Sequence, residues 1–458
     1  MDTTKKILAV ASAALATQFA GAVPVVSSVD MNQSSKTVVI TYTLSGEAGV
    51  VTLDVQTNAN TSAATDDPGW TSIGGAAVCN AQGDVWKKVE TGSRRITWRP
   101  DHSWPDHVIA NGGARAVVTA WSLDNTPNYM AVDVSEGAQP NTQTYYPAAD
   151  FVPGGVSNGL YKTTMLLMRK IMAKDVKWTM GSTTLETQRF SWCEATHQVT
   201  LTNNYYIGVY EVTQAQWDLI QPDRLAPSYF DNVADRAMRP VEQICYNEIR
   251  HAANSTTADV AYYWPADPNP NSFLGKLRTK TGIDFDLPSE AQWEFAARAG
   301  NGDTKWGDGS SILNGNPDAN LNRLGRYDST GGRVWDGTSF SDPAKSCGAE
   351  NATAIVGSYA PNAWGIYDMA GNVWEVCLDW REDNITANGG KVNINPLAPE
   401  KTLSGASGQY RVIRGGGWWF PVSYCRPASR VVTCDQSDRL ACGAGAAGFR
   451  VVCLAGLQ

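Results

Sequence analysis

The stretch GGGWWFPVSYCRPASR, from Gly415 to Arg430, places one thiol, Cys425, in a loop of glycines and aromatic residues flanked by arginines. A thiolate in such a loop could do redox chemistry, or the loop could be a scaffold that presents other side chains. A second stretch with chemical potential is AGNVWE, Ala370 to Glu375, which joins a tight turn to one carboxylate. Asp368 and Asp379 lie in the same block, but acid–base catalysis needs a convergent pair, which neighbouring positions do not establish. Four histidines and the absence of any C-x-x-C argue against a zinc centre of the His/Cys type.

The elements that must position these residues are legible in part. VTQAQWDLI begins with Thr213 as N-cap and Gln216 three residues on. LPSEAQWEFAARAG repeats the grammar with Ser289 and Gln292, and Gly300 marks its end. On the second helix Trp293, Ala296, Ala297 and Gly300 share one face, which directs Trp293 into a core. The rest of the chain from Met165 onward reads as strands and loops, an α+β unit with much irregular structure. Ahead of it, KTVVITYTL, GVVTLDV, RRITWRP and RAVVTAWS alternate between turn residues, the pattern of an all-β sandwich over residues 23–134. Residues 135–164 are rich in Pro, Gly, Asn and Ser and read as a connector. The expected division is therefore 1–22, 23–134, 135–164 and 165–455.

The 458 residues carry a net charge of −8 and no run of Lys or Arg, so nucleic acid is excluded as a partner. Residues 1–22 join Lys5 and Lys6 to the apolar run ILAVASAALA and an Ala20-Gly21-Ala22 cleavage site, the pattern of a secretory signal. No later stretch approaches the ~18 uninterrupted apolar residues of a membrane span. The expected location is outside the cytoplasm of a bacterium: secreted, periplasmic or at the cell surface. Nine cysteines leave at least one without an intramolecular partner.

YYIGVYEVTQAQW, RPVEQICYNE, LPSEAQWEFAARAG, PNAWGIYDMAGNVWEVCLDW, RVIRGGGWW and GFRVV occur in that order from Tyr205 to Val452. Together they resemble the formylglycine-generating enzyme, or sulfatase-modifying factor, family. The resemblance implies a C-type-lectin-like fold for residues 165–455. Residues 23–134 in turn resemble the immunoglobulin-like modules that bacteria place ahead of secreted domains. In the family's oxidases two cysteines of the terminal glycine loop hold copper(I) and convert a cysteine of an unfolded sulfatase to formylglycine with oxygen. Aligned from the glycines, the place of the first cysteine is taken by Phe420 and that of the second by Cys425. The serine of the oxidase Gly-Gly-Ser is here Gly417. Aligned from CRPASR instead, Cys425 matches a cysteine of non-oxidase relatives. Either alignment leaves one thiolate missing; Cys434 or Cys442 could fold back to replace it, but nothing in the spacing demands that, so copper is not expected. Cys425 would be catalytic only in an oxidase and is otherwise a buried thiol or a disulfide partner.

The resemblance also implies a calcium ion on the carbonyls of Gly371 and Val373 with Glu375 as the charged oxygen. The alternative is that Asn372 and Glu375 merely tie the turn. A second family site would use Asn320, but its acidic partner is not evident near Gly348 to Glu350. Arg414, Arg426, Arg430 and Arg450 are expected in buried ion pairs or carbonyl contacts, and His197 in a structural role. On a lectin-like framework Trp419, Phe420, Pro421, Val422 and Tyr424 would form the ligand-facing surface. This terminal region further resembles variable proteins diversified by retroelements, although Gln436 departs from the residue set that such diversification produces. Two functions follow: an exported protein that binds or displays a protein, peptide or glycan ligand, or a copper-dependent oxidase that matures exported sulfatases.

Overall fold

The computed structural model describes residues 23–223, 225–251, 266–332, 351–381, 410–430 and 446–456, together with a few short strands outside those ranges. The side chains of residues 1–22, and with them the expected secretory signal, lie outside the described residues. So do Gly348 to Glu350 and Gln436. The chain divides into two compact units, residues 1–131 with 142–158 and 455–458, and residues 132–141 with 159–454.

The first unit is built from β1 (Val25–Ser34), β2 (Thr37–Ser45), β3 (Gly49–Thr57), β4 (Gly92–Trp98) and β5 (Ala114–Trp121). β2 lies between β1 and β4 in one sheet, and β3 pairs antiparallel with β5 in another. Along β2 the side chains of Val38, Ile40, Tyr42 and Leu44 are buried while their neighbours are not. That two-residue period is how a half-buried strand reads in sequence. The buried indole of Trp98 keeps its N–H paired by donating to the Ala77 carbonyl at 2.8 Å.

Residues 135–164, expected to be a connector, carry regular structure. β6 (Tyr129–Asp133) pairs through Tyr129 to Ala131 with β7 (Thr144–Tyr146), and two 3₁₀ turns follow, at Ala149–Phe151 and Gly159–Lys162. Tyr145, Tyr146, Val152 and Tyr161 are buried. The Pro- and Gly-rich composition masked these apolar anchors, which hold the backbone down despite the turn residues around them.

In the second unit β8 (Met165–Ile171), β11 (Tyr205–Gly208) and β14 (Val452–Leu454) form antiparallel ladders with β11 in the middle. β9 (Lys177–Met180) and β10 (His197–Thr200) make a hairpin whose long connection, residues 181–196, is termed the strap below. β12 (Trp374–Trp380) runs antiparallel to β13 (Tyr410–Arg414) and parallel to Ala447–Gly448. Helices α1 (Gln214–Ile220) and α2 (Phe273–Thr281) pack on each other, with Trp217 stacked on Phe273, while α3 (Glu290–Arg298) packs on β9, β12 and β13. Both expected capping boxes are present, Thr213 with Gln216 and Ser289 with Gln292. α3 ends one residue earlier than Gly300 alone would suggest, because Ala299 already adopts the left-handed conformation. Trp293 is fully buried, as its helix face requires.

Candidate functional site

The terminal loop leaves β13 through Gly415, Gly416 and Gly417. Gly415 and Gly416 have positive φ, and a Cβ on Gly416 would lie 2.5 Å from Cys425 Sγ. The glycines therefore let the backbone fold down onto the thiol. A one-turn helix, α4 (Val422–Cys425), follows. Positions three apart on a helix share a face, and here Val422 and Cys425 both point into a cluster with Trp306, Leu321, Leu324 and Tyr327. This corrects the expectation for Val422, which is fully buried and not ligand-facing. Trp419, Phe420, Pro421 and Tyr424 are half-exposed, and Trp418 is buried beneath them.

Cys425 is a free, fully buried thiol. Burial pushes its pKa far up, and the negative charge of Asp328 adds to the effect. A thiol held protonated is a poor nucleophile and a poor copper ligand. Phe420 packs against Trp374, Trp419 and Tyr424 at ring-centroid distances of 5.1, 5.3 and 5.2 Å. The ring series continues to Phe190 on the strap, 5.2 Å from Tyr424, and through Trp418 to Phe230.

The arginines around this loop all turn inward. Arg426 bonds to Glu186 and Glu194, Arg430 to Glu290, Arg414 to Glu290 and Glu294, and Arg450 to Glu375. Burial alone would lift the Glu290 carboxyl, but Arg430 and Arg414 outweigh it and hold the pKa at about 2. Burial raises Glu186 in spite of Arg426. These pairs fasten the strap to the terminal segment: Arg426 grips Glu186 and Glu194, and Arg430 donates to the Cys193 carbonyl at 3.3 Å. His197, which follows the strap, bonds through Nδ1 to the Ala195 carbonyl at 3.1 Å and pairs with Met180 in the hairpin, consistent with a structural role.

In the second stretch, Glu375 is fully buried. Its Oε2 accepts from Trp293 Nε1 at 2.7 Å and Arg450 Nε at 2.6 Å, and its Oε1 from Arg450 Nη2 at 2.5 Å. Asn372, with positive φ, donates to Glu211 at 2.6 Å and accepts from Ala354 N at 2.8 Å, so it does tie the turn. The unexpected feature is excess negative charge. Glu211, Asp368 and Glu375 are buried near one another's fields, with Arg450 and Lys162 as the compensating cations. Asp368 Oδ2 accepts from Gly357 N, but its Oδ1 is buried with no hydrogen-bond partner among the described residues. Burial raises the Asp368 pKa to about 6, and raises Glu211 well above the usual range, with the Asp368 and Glu375 charges adding to that effect. An orphaned carboxylate oxygen in an over-acidic pocket fits a hard cation. Among the described residues no three His, Cys, Asp or Glu side chains are placed to hold a metal, so an ion here would depend on the Gly371 and Val373 carbonyls. Asn320 is half-buried and donates to the Ser311 carbonyl, with its own N–H bonded to Asp318.

Sequence reading missed Glu211 and the strap residues Glu186, Phe190 and Glu194. Their partners lie far along the chain, 240 residues for Glu186 and Arg426, and no local pattern links them.

Residues 168–455 match the family described as the sulfatase-modifying factor enzyme 1-like domain, and the chain belongs to that family. A formylglycine-generating enzyme of Thermomonospora curvata is 34% identical over 165 residues, which cover 35% of this chain and 47% of that protein. Chaperone protein LppX of Paenibacillus barcinonensis is 30% identical over 231 residues, covering 47% of this chain and 70% of its own. Among solved structures, Treponema denticola variable protein 1 is similar over 63% of this chain and 95% of its own, with 26% identity and a TM-score of 0.42. PvdO from Pseudomonas aeruginosa is similar over 63% and 94%, with 22% identity and a TM-score of 0.43. The chain spans about half the length of the bacterial formylglycine-generating enzymes it matches.

Proposed function

We propose that this chain is an exported, non-oxidase member of the sulfatase-modifying factor family whose terminal loop binds a ligand. One observation carries the reading. Phe420 aligns where an oxidase keeps its first copper thiolate, and Cys425 is sealed in a core cluster that, among the described residues, holds no second thiol for two-thiolate coordination of copper(I). A relative named as a chaperone, matched over a larger share of its length than the oxidases, is in keeping with a non-oxidase role. The signal-like residues 1–22 support export, and the β-rich first unit would act as an immunoglobulin-like spacer. A structural calcium ion, held by the Gly371 and Val373 carbonyls with the Asp368 and Glu375 carboxylates, would neutralise the acidic pocket and rigidify the turn beneath the loop. The test is a formylglycine assay on a C-x-P-x-R peptide with copper. The reading expects no aldehyde above the enzyme-free control, and aldehyde that disappears in Cys425→Ser would restore the oxidase.

A further inference from the structure

We infer that the aromatic surface shared by the terminal loop and the strap is a docking surface for a basic peptide segment; this rests on the ligand-binding reading above. The surface has two walls. Trp419, Phe420 and Tyr424 form one, and Phe190 of the strap, in ring contact with Tyr424, begins the other. The strap also carries Leu185 and Trp192, which are 78% and 57% exposed, unusual for such large apolar side chains. The second wall is not a loose loop, because Arg426 holds both Glu186 and Glu194 from below and Phe190 lies over its guanidinium.

Charge selects the occupant. The arginines near the surface are spent inward: Arg426 and Arg430 on buried glutamates, Arg381 on the Arg430 carbonyl, and Arg189 Nε on the Ser182 carbonyl. Among the described residues, Asp328 and Asp231 put carboxylates beside the rings. Asp328 donates its N–H to the Phe420 carbonyl at 3.2 Å, and its charge is felt at Cys425. Its carboxylate bonds only to Asn316 and Ser329 and has no cation partner among the described residues. Asp231, exposed, follows Phe230, whose ring meets Trp418. Half-exposed ring faces beside unneutralised carboxylates attract guanidinium or ammonium groups, by cation–π contact and by ion pairing. The overall charge of −8 adds long-range attraction of the same sign.

The experiment is a fluorescence-anisotropy titration of the full chain with labelled hexa-arginine, hexa-glutamate and a neutral cello-oligosaccharide, each protein checked for folding by thermal melt. The expected result is salt-sensitive binding of hexa-arginine alone, weakened about tenfold in Phe420→Ala and in the conservative Asp328→Asn. Phe190→Ala should weaken it similarly. Equal hexa-arginine affinity in all three variants would assign the binding to general acidity and overturn the inference. Preference for the oligosaccharide or for hexa-glutamate, lost in Phe420→Ala, would also overturn it while leaving the ligand-binding reading standing. No binding of any probe overturns it too, and only aldehyde formation in the oxidase assay removes the reading beneath.

Discussion

Arg450 and Glu375 form a fully buried, two-point ion pair, with Nε on Oε2 at 2.6 Å and Nη2 on Oε1 at 2.5 Å. Arg450 also donates to the carbonyls of Gly208 and Tyr367, so it ties β11 and β12 to the segment before β14. Removing one partner leaves the other charge buried without compensation, at a cost of about 3–5 kcal/mol. Glu375→Gln should therefore lower the stability of the second unit by that order in urea denaturation. A loss below about 1 kcal/mol would mean that water reaches the pair.

The same pocket gives a metal test. If calcium neutralises Asp368 and its neighbours, chelator should lower the melting temperature of the wild-type second unit. Asp368→Asn should remove that sensitivity, because it takes the orphaned carboxylate charge out of the site. An identical melting curve with and without chelator would show that the turn is held by Asn372 and Glu375 alone.

Two sets of carboxyls give the second unit an acid-side stability optimum in chelator. Glu290 and Glu294 have lowered folded pKa values, since their arginines outweigh the effect of burial. Their contribution is present above the unfolded value and is lost as pH falls toward about 2, on the order of 3 kcal/mol for Glu290. Asp368 and Glu211 are raised, so their contribution has the opposite sign and is lost as pH rises through about 6 for Asp368. Denaturant midpoints should therefore peak between about pH 4 and 6, and Asp368→Asn should flatten the neutral side. A monotonic rise from pH 4 to pH 8 would contradict this balance.

What the sequence disclosed was mostly local. Capping boxes at Thr213 and Ser289 are three-residue grammar, and the alternation in β2 is two-residue grammar, so both are readable without tertiary context. That Arg414, Arg426, Arg430 and Arg450 would be buried in ion pairs was also readable. Their partners were not, since Glu186 and Glu194 are 240 and 232 residues from Arg426. Val422 was misplaced because a single helical turn, invisible in so short a loop, sets its side chain beside Cys425. Cys425 itself followed the expectation of a buried thiol.

Neighbouring glycines in the loop should respond differently. Gly416 has positive φ, and a Cβ there meets Cys425 Sγ at 2.5 Å, so Gly416→Ala should cost about 1–3 kcal/mol. At Gly417 the nearest contact of a Cβ is Trp374 Cδ1 at 3.2 Å, and Trp374 Nε1, buried and without a hydrogen-bond partner among the described residues, lies 3.5 Å away. Gly417→Ser should therefore be within about 1 kcal/mol of wild type, its hydroxyl reaching the indole N–H. Thermal melts of the two variants separate the cases, and equal losses would show that the loop backbone moves freely.

The most direct test of the non-oxidase reading is a copper(I) titration of the reduced, folded protein, followed by thiolate-to-copper charge-transfer absorption. With Phe420 in place of a thiol and Cys425 buried in its core cluster, no saturable one-to-one absorption should develop before the protein unfolds. Tight one-to-one binding by the native protein, abolished in Cys425→Ser, would contradict the account and return the loop to copper chemistry.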